Sequence, residues 1–179
     1  LPENVDFIAG ALCEPLACVT HGVIELSQVH SGDTVLVSGV GAIGLLAAQV
    51  ARSEGGRVII SGISEDGKRF ELAKEMGFNE LVNVQEIDIF QFIEEMTNGG
   101  GVDVVLECSG APEAARAGIQ VVKKRGVYTQ IGLFGRPFEI NFETIAYKEL
   151  RVSGSFSQRW IAWETALKLL ELKKVETKP

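Results

Sequence analysis

The sequence is poor in the residue types that carry common hydrolytic and reductive chemistry. Its 179 residues include two histidines, His21 and His30, and no H-E-x-x-H or G-x-S-x-G pattern. A zinc-protease helix and a serine-hydrolase nucleophile turn are therefore excluded. Tyr147 and Lys148 are adjacent rather than spaced Y-x-x-x-K, so the short-chain reductase arrangement is absent as well. No complete catalytic set is visible in the chain.

Basic charge, long apolar runs and cysteine are also scarce. The net charge is −7, which argues against a general nucleic-acid binder because such proteins need a basic surface. No apolar run approaches the length of a membrane span, and we expect no membrane partner. The three cysteines, Cys13, Cys18 and Cys108, cannot all pair and form no C-x-x-C. This usage favours a reducing compartment, and we expect a cytoplasmic protein.

Strand and helix signals alternate along most of the chain. Apolar strand patterns lie at 33–38, 57–61, 80–84, 102–108, 126–131 and 150–154. Helical patterns lie at 43–52, 65–76, 88–97, 112–123 and 158–173, with Ser64 as the expected N-cap of the second and Pro112 opening the fourth. Single strands separated by helices predict right-handed βαβ units. We therefore expect an α/β fold, a doubly wound parallel six-stranded Rossmann sheet with helices on both faces.

A glycine motif follows the first predicted strand, in the stretch VLVSGVGAIGLLAAQ at 35–49. Gly39, Gly41 and Gly44 fit G-x-G-x-x-G, with Ala42 and Ile43 opening the helix. The first glycine permits the tight turn, the second the approach of a pyrophosphate, and the third close packing of helix on strand. Free N–H groups at the helix N-terminus then bind the phosphates. The motif in this context predicts a dinucleotide site.

The end of the second predicted strand bears on the choice between NAD and NADP. An acid commonly binds the ribose 2′-hydroxyl of NAD there, and this sequence has Gly62. Hydrogen-bond donors and cations suited to a 2′-phosphate lie around it: Ser61, Ser64, Lys68 and Arg69. Glu65 and Asp66 oppose a phosphate, and the cations could be solvated helix-face charges. We favour NADP over NAD.

Short turns follow the fourth, fifth and sixth predicted strands. Ligands of such folds bind at the carboxyl ends of the strands, so these turns are candidate cofactor contacts: Ser109, Gly110, Gly132, Leu133, Phe134, Ser155, Phe156 and Ser157. Ordinary tight turns explain the same residues. Phe134 and Phe156 could equally cap the core.

Glu14, Cys18 and His21 are spaced so that they share a face if 14–27 is one helix. Carboxylate, thiolate and imidazole are chemically possible zinc ligands. Burial of Cys18 and packing of His21 explain the spacing better, and we expect no complete metal site within the chain.

Several motifs resemble the medium-chain zinc-dependent alcohol and polyol dehydrogenases, and among them the sorbitol and threonine dehydrogenase branch. The resemblance covers essentially the whole chain, and Glu14-Pro15-Leu16 is its most discriminating part. The matching stretches are LCEPLA at 12–17, His21-Gly22, SGDTVLVSGVGAIGLLAAQVA, ELAKEMG at 71–77, DVVLECSGAPEA at 103–114 and GVYTQIGLFG at 126–135.

The resemblance implies a two-domain enzyme of which this chain is the cofactor-binding part. Residues 31–179 would form the dinucleotide-binding domain, and residues 1–30 a linking helix region from the catalytic domain. A catalytic zinc, held largely by that other domain, would act as a Lewis acid while a secondary alcohol passes hydride to the nicotinamide. Glu14 matches a glutamate at or beside this zinc, and no residue is assigned a catalytic role. The implied partners are an alcohol substrate, the catalytic domain, and further copies of the chain joined through the last strand.

Two alternatives remain open at this point. One is a non-enzymatic module that senses dinucleotides, and the other is a zinc-free relative of the quinone reductases. Glu14-Pro15-Leu16 argues against the second. The chain begins with Leu1, and we expect it to be part of a longer protein and to be inactive without the rest of that protein.

Overall fold

In the computed structural model, which describes residues 1–177, the chain is built around one parallel sheet. Its strands are β1 (Thr34–Ser38), β2 (Arg57–Gly62), β3 (Glu80–Asn83), β4 (Val102–Glu107), β5 (Val122–Gln130) and β6 (Arg151–Gly154). Their order is β3-β2-β1-β4-β5-β6, and each neighbouring pair is parallel. This is the doubly wound order, which reverses direction between β1 and β4. The predicted fold class is confirmed.

Eight α-helices connect and cover the strands within the part of the chain that the structure describes. They are α1 (Phe7–Ala11), α2 (Cys13–Thr20), α3 (Ala42–Ser53), α4 (Gly67–Glu75), α5 (Ile89–Thr97), α6 (Pro112–Val121), α7 (Glu143–Tyr147) and α8 (Trp160–Glu171). A π-helical segment occupies His21–Leu26, and a 3-10 turn occupies Ser64–Asp66. None of the helices in residues 1–177 is both long enough and apolar enough to cross a membrane.

Two apolar layers pack on the two faces of the sheet. Successive side chains of a strand point to opposite faces. Along β1, Val35 and Val37 join the cluster formed with α2, α3, α4 and α8, whereas Leu36 joins the cluster formed with α5 and α6. All three side chains are at most 1% exposed. Burial on both faces explains why the central strands are apolar runs rather than alternating patterns.

The start of the second predicted helix differs from the expectation. Ser64 does not cap it, because the Ser64 hydroxyl accepts a hydrogen bond from Asn83 Nδ2 at 3.0 Å and its N–H donates to Gln85 Oε1 at 3.0 Å. Ser64 instead opens the 3-10 turn, and α4 begins only at Gly67. The loop after β3 therefore holds this turn beside the end of β2.

The segment 14–27 is not one regular α-helix. It divides into α2 and the π-helical segment that begins at His21. π-Helical turns occur frequently near functional sites. Pro112 opens α6 as predicted, but this helix ends at Val121 because Val122 is already extended and begins β5.

Candidate functional site

A cavity of about 500 Å³ lies at the carboxyl ends of β1, β2 and β4, at the point where the strand order reverses. This is where ligands bind in open α/β sheets. Six of the residues predicted for the cofactor line it: Gly39, Gly41, Ser61, Gly62, Arg69 and Ser109. The structure thus brings the glycine motif, the end of the second strand and the turn after the fourth strand around one space.

The glycine motif forms a tight strand-to-helix turn beside this cavity. A Cβ placed on Gly44 would lie 1.9 Å from the carbonyl oxygen of Gly39, so no side chain fits at position 44. The first turn of α3 therefore packs directly on the backbone that leaves β1. The N-cap residue Gly41 lines the cavity, and the first N–H groups of an α-helix have no partner within the helix. The turn presents an N-terminus suited to phosphate.

Backbone hydrogen bonds hold the three strand ends together. The Gly39 N–H donates to the Ser61 carbonyl at 2.8 Å, and the Cys108 N–H donates to the Ser38 carbonyl at 2.9 Å. The walls of the cavity are therefore extensions of the sheet rather than independent loops.

A charged pair lies at the β2 end of the cavity, where the ribose side of the cofactor was predicted. Asp66 and Arg69 both line the cavity, and Arg69 Nη1 lies 2.7 Å from Asp66 Oδ1. Lys68 is exposed and does not line it, nor does Ser64. Of the two predicted cations, the structure brings Arg69 to the cavity and leaves Lys68 outside, so the predicted role of Lys68 has no support from the geometry.

Apart from Ser38, Cys108 and Glu113, small and apolar side chains line the rest of this cavity, and the sequence alone did not single them out. They are Leu36, Val40, Ile63, Val84, Ile89, Ala111, Ala114 and Ala117. The last three recur every third residue at the start of α6, a spacing that places them on one helix face. That alanine repeat is the signal from which this wall could have been predicted.

A second cavity of about 350 Å³ adjoins the first. Cys108 and Ser109 line both, so the two spaces meet at the end of β4. The predicted residues that line it are Ile43, Ser109, Gly132, Leu133, Ser155, Phe156 and Ser157. Cys18 from α2 and Ile131 complete the wall. The turns after β4, β5 and β6 thus converge around this second cavity.

Glu107 is a buried carboxylate beneath the turns that surround this second cavity. Its side chain is fully buried, and Oε1 accepts the Ser109 N–H at 2.9 Å and the Gly110 N–H at 3.1 Å. The Ser109 hydroxyl and Gln130 Nε2 also donate to it. The Tyr128 hydroxyl donates to Gln130 Oε1 at 2.6 Å. This network fixes the turn after β4 against the end of β5.

Burial and the Glu107 charge act on neighbouring titratable groups. Burial, reinforced by that charge, raises the pKa of the Cys108 thiol. The same two causes, in that order, raise the pKa of Tyr128 well above its usual range. Both groups are therefore neutral hydrogen-bonding or packing groups at ordinary pH, and Cys108 is not an activated thiolate.

Besides Ser64 and Lys68, four residues predicted to bind cofactor line neither cavity among the described residues: Ala42, Gly44, Gly110 and Phe134. Ala42 and Gly44 belong to the first turn of α3, and Gly110 donates to Glu107. Phe134 packs on Phe138 with ring centroids 4.5 Å apart. Their geometry supports positioning of the site, and for Phe134 it supports core packing.

The candidate metal residues do not assemble into one site. The Cys18 thiol lies 3.4 Å from Glu14 Oε1 and 2.9 Å from Gln158 Oε1, whereas His21 Nδ1 lies 3.0 Å from Glu25. Within residues 1–177 no three His, Cys, Asp or Glu side chains are grouped so as to hold a metal. Burial, with the hydrogen bond and charge of Glu14, raises the pKa of Cys18 to about 11. The residues present here do not by themselves fit a zinc ion.

Comparison with known proteins agrees with the fold. The model of the zinc-binding dehydrogenase family matches residues 42–172. A sorbitol dehydrogenase of Halalkalibacterium halodurans is 51% identical over 99% of this chain and 52% of its own length. A D-arabitol-phosphate dehydrogenase of Enterococcus avium is 36% identical over 95% of the chain and 49% of its own length.

Solved structures give the same result. A zinc-binding dehydrogenase of Sinorhizobium meliloti bound to NADP superimposes with a TM-score of 0.87 at 35% identity, over 98% of this chain and 52% of that one. The 2R,3R-butanediol dehydrogenase of Bacillus subtilis superimposes with a TM-score of 0.85 at 30% identity, over 96% and 48%. The chain belongs to the zinc-binding dehydrogenase family. It spans about half the length of the curated relatives it matches.

Proposed function

We propose that this chain is the NAD(P)-binding domain of a zinc-dependent alcohol or polyol dehydrogenase. The whole enzyme would transfer hydride between a secondary alcohol and the nicotinamide. The observation that carries the proposal is the cavity at the strand reversal, with Gly41 at the N-terminus of α3 on its wall. The dehydrogenases named above support the reaction class.

The two cavities divide the cofactor between them in this proposal. The pyrophosphate would lie on the turn at Gly41, and the adenosine would lie between the end of β2 and the alanine face of α6. The nicotinamide would enter the second cavity, between Ile43 and the turns at Ser109 and Leu133. The protein's contribution here is to orient the reactive ring and exclude water around it. Glu107 would act indirectly, by fixing the turn that contains Ser109.

The choice between NAD and NADP depends on the groups at the end of β2. Gly62 and the nearby serines suggested NADP, and the S. meliloti relative was crystallised with NADP. Arg69 is the cation positioned for a 2′-phosphate, but it is already paired with Asp66. NAD and NADP therefore both remain candidates for this domain on the family relationship alone.

We also propose that zinc and the alcohol bind in the whole protein, where the rest of the chain completes the site. Zinc bound there would supply a Lewis acid for the alcohol oxygen. Glu14 is exposed and follows the family motif, so it could approach such an ion from this domain. No ligand role for Glu14 follows from its contacts here.

The partners we propose are the catalytic domain of the same chain and a second copy bound through β6. This strand lies at the sheet edge and is largely exposed, and an uncovered edge favours pairing. The three free cysteines among residues 1–177 accord with a cytoplasmic location.

Calorimetric titration with NADH and NADPH, combined with an activity assay, tests the proposal. We expect saturable binding of at least one dinucleotide by the 179-residue chain and no oxidation of sorbitol, threonine or a simple alcohol. Binding of neither dinucleotide would refute the dinucleotide site. Zinc-dependent alcohol oxidation by these residues alone would refute the division of labour between the two halves. Dinucleotide binding without alcohol oxidation by the whole protein would favour the sensing module. The polyol dehydrogenase relatives argue against a zinc-free quinone reductase.

A further inference from the structure

The end of β2 has no room for the side chain that its position would ordinarily carry. A Cβ built on Gly62 would lie 2.4 Å from Val40 Cγ2 and 3.0 Å from the ring of Phe70. The same Cβ would lie 3.0 Å from Asp66 Oδ2. The Asp66 carboxylate therefore occupies the space into which a carboxylate borne by residue 62 would extend.

Asp66 is held firmly in this place. Its side chain is only 15% exposed, and it contacts the cavity that we assign to the dinucleotide. Oδ2 accepts the Ile63 N–H at 3.2 Å, and Oδ1 accepts Arg69 Nη1 at 2.7 Å. A carboxylate oxygen has two acceptor positions, so each oxygen retains capacity for a ligand hydroxyl.

We propose that Asp66 supplies, from the 3-10 turn, the carboxylate that recognises the ribose hydroxyls of a non-phosphorylated dinucleotide. The inference rests on the proposed dinucleotide site and deepens it. Strand position 62 carries no acid, and the turn four residues later places one in the same space. This proposal reverses the sequence-based preference for NADP, which was drawn from Gly62 and from the donors and cations around it.

The charges around the ribose position support this choice. A 2′-phosphate placed here would lie beside the Asp66 carboxylate, and like charges repel strongly where water is scarce. The positive charge of Arg69 is partly offset, because its Nη1 is paired with the Asp66 carboxylate. Lys68 lies outside the cavity lining. A ribose 2′-hydroxyl, by contrast, can donate to the carboxylate.

The test compares NADH and NADPH affinities of the wild-type chain with those of two matched variants. Asp66→Asn keeps the size of the side chain and removes its charge. Glu65→Gln removes the charge of the preceding residue, which does not line the cavity. We expect the wild type to bind NADH at least tenfold more tightly than NADPH. Asp66→Asn should reduce this ratio at least tenfold, whereas Glu65→Gln should leave it unchanged.

Titration of the wild-type chain with ADP-ribose and 2′-phospho-ADP-ribose gives the same comparison without any substitution, so the test does not depend on folding of a variant. Tighter binding of the phosphorylated member of either pair would overturn the inference. So would an unchanged NADH/NADPH ratio in Asp66→Asn, or an equal shift in Glu65→Gln. In each of those cases dinucleotide still binds and the proposed function stands. Binding of no dinucleotide at all would refute the proposed function, and the inference with it.

Discussion

Replacing Glu107 by Gln tests the network that supports the turns around the second cavity. The carboxylate accepts hydrogen bonds from Ser109, Gly110 and Gln130, and Glu107 is 0% exposed. An amide at this position turns one acceptor oxygen into a donor. Wherever that NH2 group points, it faces an N–H or O–H group that already donates, so the buried amide introduced at position 107 is itself a donor without an acceptor.

The expected cost follows from that unmade hydrogen bond. A buried donor left without an acceptor costs about 1–3 kcal/mol. For a chain of this length each kcal/mol lowers Tm by about 2–4 °C, so Glu107→Gln should melt roughly 2–12 °C below the wild type. NADH affinity should fall as well, because the turn that contains Ser109 lines both cavities.

Differential scanning calorimetry measures the melting temperature, and Glu164→Gln provides the control. Glu164 is an exposed residue of α8, so the same chemical change there should leave Tm almost unaltered. Equal melting temperatures for Glu107→Gln and the wild type would refute the reasoning. They would mean that the carboxylate network contributes no net stability.

Two further predictions concern the glycine turn before α3 and the Cys18 thiol. Gly44→Ala should lower the free energy of unfolding by about 1–3 kcal/mol, since its methyl group collides with backbone, and weaken NADH binding. Gly67→Ala is the control, because its Cβ meets nothing within 4 Å and the change should not destabilise the chain. Urea melts measure the free energy of unfolding of both variants. A lower value for Gly67→Ala than for Gly44→Ala would contradict the described packing at Gly44. Cys18, whose pKa is raised to about 11, should react slowly with iodoacetamide at pH 8, as site-resolved mass spectrometry can measure. Glu14→Gln should speed this reaction, because Glu14 contributes to the raised pKa of Cys18. Bound NADH should slow it, because Cys18 lines the second cavity. An unaltered rate in both cases would argue against these surroundings of the Cys18 thiol.

Local sequence patterns were sufficient to predict the parts of the site that depend on neighbours in the chain. The glycine turn is an example, because Gly39 and Gly44 lie within one strand-to-helix connection and their contact is fixed by it. The doubly wound parallel sheet was predicted from the alternation of strands and helices, since right-handed crossovers leave few topologies.

Contacts between distant segments were not predictable in the same way. Ser64 was expected to cap a helix, but Asn83 at the end of β3 and Gln85 in the loop after it hold it elsewhere. Asp66 was interpreted as an obstacle to phosphate, and only the distance from the Gly62 Cβ position shows which space it fills. Glu107 had a detectable signal, since an acid that ends an apolar central strand must be satisfied when buried.

The most direct test of the central claim is an NADH fluorescence titration of the wild type and of Gly41→Ala. A Cβ at Gly41 meets no protein atom within 4 Å, so this change should leave the melting temperature unaltered and affect only a ligand that lies against the turn. We predict saturable binding by the wild type and at least tenfold weaker binding by the variant. Equal affinities, or no saturable binding by the wild type, would contradict the assignment of this cavity to a dinucleotide.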